Sequence, residues 1–95
     1  MTVIDITRGS DARIDFDVTD SSGAPLSVTD VIVLENSIHL NGRLEIIERD
    51  FSQGEFTVKI EGSSPIATGV SNFRWQAELS SGDTLGSPEI KVNVV

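Results

Sequence analysis

Asp15 and Asp17 are the residues whose type and spacing come nearest to chemistry. They lie two apart in a stretch, Ala12 to Thr19, where Ile14, Phe16 and Val18 alternate with Arg13 and the two aspartates. At ~3.3 Å per residue along a strand, their carboxyls stand about 7 Å apart, the separation of an inverting glycosidase pair. Alternate charges are also what the wet face of a half-buried strand needs. A sandwich of 95 residues has little room for a deep cleft, so no catalytic pair is expected. Asp15, Asp17 and Asp20, or Asp20 with Asp50 or Asp83 from neighbouring loops, offer hard oxygen ligands of the kind calcium takes. No EF-hand spacing joins them, and no metal site or cofactor is assigned. The one histidine, His39, is flanked by Ile38 and Leu40, a setting for a surface or interface contact rather than a general base. No G-x-S-x-G elbow, H-E-x-x-H, P-loop or CxxC occurs. The many serines lie in turns, where hydroxyl-to-backbone bonding accounts for them.

Composition narrows the partners. Fifteen acidic residues against seven basic ones leave a net charge of −8. Such a surface repels phosphate backbones and anionic lipid, so nucleic acid and membrane are not expected. No apolar run approaches the ~20 residues of a membrane-spanning helix. Met1-Thr2-Val3-Ile4-Asp5 shows neither a basic n-region nor an apolar h-region, so no secretion signal is expected. Cysteine is absent, which removes disulfides and thiolate zinc from consideration. At this length folding hides roughly 60–70% of the unfolded surface, enough for one core without staples. Residues 1–95 therefore read as a single domain.

The elements that must position these residues are short alternating strands separated by turns. Thr2 to Thr7 is a strand, and Arg8-Gly9 permits a bend. Ala12 to Thr19 is the clearest strand, and Asp20-Ser21-Ser22-Gly23-Ala24-Pro25 turns the chain back, so that Ile6 to Val28 reads as a first hairpin. Val31-Ile32-Val33-Leu34, within Asp30 to Leu40, is apolar on both faces, as in a central strand or one covered by a partner. Asn41-Gly42 signals a hairpin. A three-residue loop, Leu40-Asn41-Gly42, pairs Ile38 with Leu44 and Asn36 with Ile46, which keeps apolar residues on one face.

Asp50 to Gly54 is the next turn, and Glu55 to Glu61 alternates with Phe56, Val58 and Ile60 inward. Gly62 to Ser71 is the longest break, where Ser63-Ser64-Pro65-Ile66-Ala67 suits a short helical turn near 63–68. Asn72 to Ser80 places Phe73, Trp75, Ala77 and Leu79 inward, with Trp75 the largest core candidate. After Ser81-Gly82-Asp83, Leu85 to Val95 closes the sheet with Ile90, Val92 and Val94 inward. About seven strands with turns every 8–12 residues predict an all-β fold, an antiparallel sandwich or small barrel.

Several of these segments carry a resemblance. They are Ile6-Thr7-Arg8-Gly9, Ile14 to Asp20, Gly23-Ala24-Pro25-Leu26, Leu44-Glu45-Ile46 and Gly54 to Val58. Gly69 followed by Phe73 to Leu79, and Ile90 to Val94, complete the set. In this order they resemble small immunoglobulin-like β-sandwich modules of tailed-phage virion proteins, such as the N-terminal domain of phage baseplate upper proteins. Where such modules have Thr after Arg-Gly-Asp, this chain reads Arg8-Gly9-Ser10-Asp11.

The resemblance implies an immunoglobulin-like antiparallel β-sandwich with no enzymatic activity. It implies a place in the virion as an accessory or cement-like decoration subunit, a homo-oligomer on the particle that binds capsid or tail/baseplate proteins. The expected interface residues are Val31 and Val33 on the doubly apolar strand and Ile38, His39 and Leu40 at the hairpin tip. Edge strands Thr2–Thr7 and Leu85–Val95 are expected to extend a sheet across subunits. The competing expectation is a carbohydrate-binding or adhesive module, which requires exposed aromatics.

Overall fold

Alternation decides the strands, and long-range pairing decides their order. The computed structural model describes residues 3–36, 42–62 and 68–95. Among the described residues eight strands follow in sequence: β1 (Val3–Ile6), β2 (Ala12–Asp17), β3 (Val28–Asn36), β4 (Leu44–Asp50), β5 (Glu55–Ile60), β6 (Gly69–Leu79), β7 (Thr84–Gly86) and β8 (Ile90–Val94). One sheet has the order β1-β8-β6-β3, with β7 also on β6; the other has the order β2-β5-β4. Their apolar faces meet as an all-β sandwich. Phe56, Val58 and Ile60 come from the three-stranded sheet, and Phe73, Ala77 and Val92 from the five-stranded one.

The expected closing strand Leu85–Val95 is split in two. β8 pairs with Gly69–Phe73 and β7 with Gln76–Glu78, end to end along the same side of β6. Pro88, which has no amide to donate, lies in the gap. Ser87 spans it: its amide donates to the Trp75 carbonyl at 2.9 Å, and its hydroxyl accepts from the Trp75 amide at 3.0 Å. Nor is the β8 part of this segment an edge, because β1 covers it by parallel pairing from Val3–Lys91 to Ile6–Val94.

Both expected hairpins are corrected. The Asp20 turn forms, with Asp20 N–H donating to Ala24 O and Gly23 N–H to Asp20 O. Beyond the Thr19–Pro25 bridge its arms separate, β2 pairing with β5 and β3 with β6. Across the sandwich, each arm buries its apolar face against the other sheet. Gly42 is left-handed, with φ 75°, yet β3 and β4 again lie in different sheets. Asn36 pairs with Phe73, Leu44 with Ile60 and Ile46 with Val58. Ile38 and the Leu40-Asn41 part of the loop lie outside the described residues, as do residues 63–67 of the expected helical turn. A 3₁₀ turn is found at Phe51–Gln53.

Gly54 closes that turn and locks the sandwich end. Its φ is 72°, and a Cβ there would lie 2.5 Å from Leu26 O and 2.6 Å from Val18 O. Gly23 also has positive φ, 88°, but faces open space. Gly54→Ala should lower unfolding free energy by about 3 kcal/mol, because strain and backbone collision add. Gly23→Ala should lose about 1 kcal/mol from conformation alone. Urea denaturation of the two variants checks this, and equal losses would contradict the close approach.

Asp20 is the polar anchor of the first turn. Its Oδ1 accepts from the Ser22 hydroxyl at 2.6 Å, the Ser22 amide at 2.9 Å and the Ala24 amide at 3.0 Å. The Ser22 hydroxyl first, then the Ala24 amide, hold this carboxyl below its ordinary range. A depressed folded-state value contributes stability that is complete above the unfolded carboxyl value of about 3.9 and is lost as pH falls through the folded one. NMR titration should place the Asp20 midpoint below 3.8. Asp20→Asn should be less stable than the parent near neutral pH, with the gap closing in acid.

Candidate functional site

The acidic residues that first suggest chemistry are already partnered. Asp15 and Asp17 are exposed on the outer face of β2. Asp15 accepts from the Thr57 hydroxyl at 2.7 Å across the β2–β5 ladder. Arg49 is the extra residue of a bulge between Glu48 and Asp50, which aims its side chain over this face. Its guanidinium lies 3.3 Å from Asp17, 3.9 Å from Asp15 and 3.9 Å from Glu55. It also donates to the Phe16 and Phe56 carbonyls at 3.0 and 3.2 Å. An internal cation thus stands where a metal or substrate would have to enter.

Asp20 is occupied by its own turn, and no cluster of three potential ligands forms among the described residues. Residues 37–41, and with them His39, Ile38 and Leu40, lie outside the described residues. Sequence reading missed Arg49, whose reach depends on the bulge.

Among the described residues, one open edge that carries exposed apolar side chains is β3. The strand is not central: among the described residues it pairs with β6 alone, at the edge of the five-stranded sheet. Val31 is buried at 5% exposure, and Val33 is half-buried against the core. These two therefore face inward, and a neighbour would meet Ile32 and Leu34, which are 47% and 49% exposed. The phase is fixed by β6, since Val31 lies opposite Ala77 and Val33 opposite Trp75. A clue was present in the sequence: Asp30 shares the phase of Ile32 and Leu34, and a charge marks the wet face.

Around Ile32 the outer face is shallow, lined by Asp30, Gln76, Glu78 and Thr84. Asp30 stands directly opposite Glu78, a like-charge placement that disfavours the ladder locally. None of the five aromatic residues is exposed. Phe56, Phe73 and Trp75 are buried, and Phe16 and Phe51 are half-buried against the core.

The backbone along this edge is also directed outward. On β6, Trp75 bonds Ser87 with both its amide and its carbonyl, and the Leu79 amide donates to Asp83 O. These groups point away from β3. Residues directly opposite in an antiparallel ladder share hydrogen-bonding character, so Val33, opposite Trp75, turns its N–H and C=O toward the open edge. Val31 does the same, and its amide takes Asp30 Oδ1 at 2.9 Å.

No protein-family model matches the chain, and no curated protein matches its sequence. Among solved structures, it is similar to murine CRIg, with a TM-score of 0.51 and 11% identity, covering 98% of this chain and 92% of that one. It is also similar to the solution structure of amebosin, with a TM-score of 0.47 and 19% identity over 99% and 89% of the two chains. At such identity the CRIg likeness speaks to fold alone. Strand order agrees: β2-β5-β4 corresponds to B-E-D, and β8-β6-β3 to G-F-C of the immunoglobulin sandwich. The fold is an immunoglobulin-like β-sandwich.

Proposed function

We propose that this chain is a non-enzymatic binding module, an accessory or decoration subunit of a tailed-phage virion that holds capsid or tail/baseplate proteins. The observation that carries the binding reading is the β3 edge, where Ile32 and Leu34 are exposed in phase on a strand paired on one side only among the described residues. Exposed apolar edges of this kind are what partners cover. The virion assignment is supported by the sequence resemblance, from Ile6-Thr7-Arg8-Gly9 through the terminal strand Ile90 to Val94. The partners on this reading are other virion proteins, and the location is the particle. The interior placement of all five aromatics favours a protein partner over a glycan, which would stack on exposed rings.

Co-sedimentation of the purified chain with capsids and tails encoded by the same genome tests this reading. The chain should pellet with one of them. Leu34→Lys, which alters only an exposed side chain, should weaken that binding about tenfold or more, the loss of a typical interface anchor. A chain that binds neither particle, or that binds glycans instead, would sink the virion reading.

A further inference from the structure

We infer that β3 pairs with β3 of a second copy of this chain, antiparallel about a two-fold axis at Val33. The inference rests on the β3 edge as the contact surface, as proposed above, and specifies one occupant for it. The edge supplies the hydrogen bonds, because Val31 and Val33 turn their backbone groups away from β6. The 3₁₀ turn also lies against β3. Its closing residue Gly54 is bonded to Val18 and crowds Leu26. Gly54 and Leu26 thus adjoin the Val28 end, and among the described residues no strand pairs with Val33 on its outer side.

The side chains select the partner. A strand that meets its own copy antiparallel must place each residue opposite a symmetry-related one. Centring on Val33 sets Ile32 opposite Leu34 of the second copy, Leu34 opposite Ile32, and Asp30 opposite Asn36. Centring on Ile32 would set Asp30 opposite Leu34, and centring on Leu34 would set Ile32 opposite Asn36. Only the Val33 register covers both exposed apolar side chains with each other and leaves no acid opposite an apolar residue on the outer face. Val33 then exchanges two hydrogen bonds with its counterpart, and the Val31 amide trades Asp30 for the Glu35 carbonyl of the second copy.

Charge sets the limit. Two chains of net charge −8 repel, and the uncharged run Val31–Leu34 keeps acids out of the centre of the contact. A strand pair roughly 23 Å long, presenting one row of side chains, buries less than the ~1,200 Å² of stable interfaces. Pairing is therefore concentration-dependent in solution and is favoured where copies are held close together.

The chain has no cysteine, so cross-linking reads the register directly. Ile32→Cys and Leu34→Cys alter exposed side chains and leave the core intact. In the Val33 register these two face each other as a non-hydrogen-bonded pair about 4.5 Å apart at Cα, within disulfide reach. Ile32 and its own copy lie roughly 8 Å apart, out of reach. Under mild oxidation, a mixture of the two variants, one carrying a mass tag, should give the mixed dimer in about tenfold excess over either self-dimer.

Light scattering at rising concentration should move the parent from 10.2 kDa toward twice that mass, further in high salt. Ile32→Lys should stay monomeric. Equal amounts of the three cross-linked species, a dominant Ile32–Ile32 product, or a parent that stays monomeric throughout would each overturn the pairing. A monomeric parent that still binds virions, and loses that binding in Leu34→Lys, would reject self-pairing while leaving the binding function intact.

Discussion

Three aromatic rings hold the two sheets in one relation, and the outward faces follow from that relation. Phe16 of β2 stacks on Phe56 of β5 at 5.4 Å between centroids. Trp75 of β6 meets both edge-on, at 5.6 and 5.0 Å. In antibody domains a disulfide joins the strands equivalent to β2 and β6, and here, without cysteine, Phe16 and Trp75 make that join. Such ring pairs contribute about 0.5–1.5 kcal/mol each beyond area burial. The two pairs that cross between the sheets contribute about 1–3 kcal/mol together, which overlaps the lower part of the range for a lost disulfide, about 2–5 kcal/mol. Trp75 also fixes β6, and β6 fixes which side of β3 faces water. The arrangement has a cost, since Trp75 Nε1 is buried without an acceptor among the described residues.

The two outer faces manage charge differently. On the three-stranded sheet, Arg49 gathers Asp15, Asp17 and Glu55, and Lys59 stands 3.7 Å from Asp11. Each of these four acids has a cation within 4 Å, and the face is well suited to solvent. At the β3 end of the five-stranded sheet, Asp30 and Glu78 face each other beside two exposed apolar side chains. Neither acid has an ion-pair partner among the described residues. Local stability is spent at this one edge, which is where an interaction surface differs physically from a solvated one.

What was legible in the sequence was whatever depends on near neighbours. Alternation alone located β2, β5 and β6, their inward residues and the burial of Trp75. Pairing was not legible, because turn chemistry says where a chain bends and not which sheet it enters next. The Asp20 turn and Gly42 adopt their expected local geometry, yet each leads across the sandwich. The phase of Val31–Leu34 was hidden because all four residues are apolar, so only contact with Ala77 and Trp75, more than forty positions away, decides it. A bulge between Val28 and Asp30 shifts that phase again, and no residue type announces it. The Arg49 cluster was missed for the same reason: a second bulge creates it.

The parallel join of β1 to β8 gives the domain a mechanical character. Tension entering ahead of β1 and leaving after β8 draws the two strands past one another along their length. The bonds from Val3–Lys91 to Ile6–Val94 then share the load at once, together with Arg8 to Val95 and Val95 to Ile6, both 2.9 Å. A hairpin pulled at its open end surrenders such bonds one after another, like a zip. This clasp must shear, so the sandwich can sit in line within a stretched assembly and yield late.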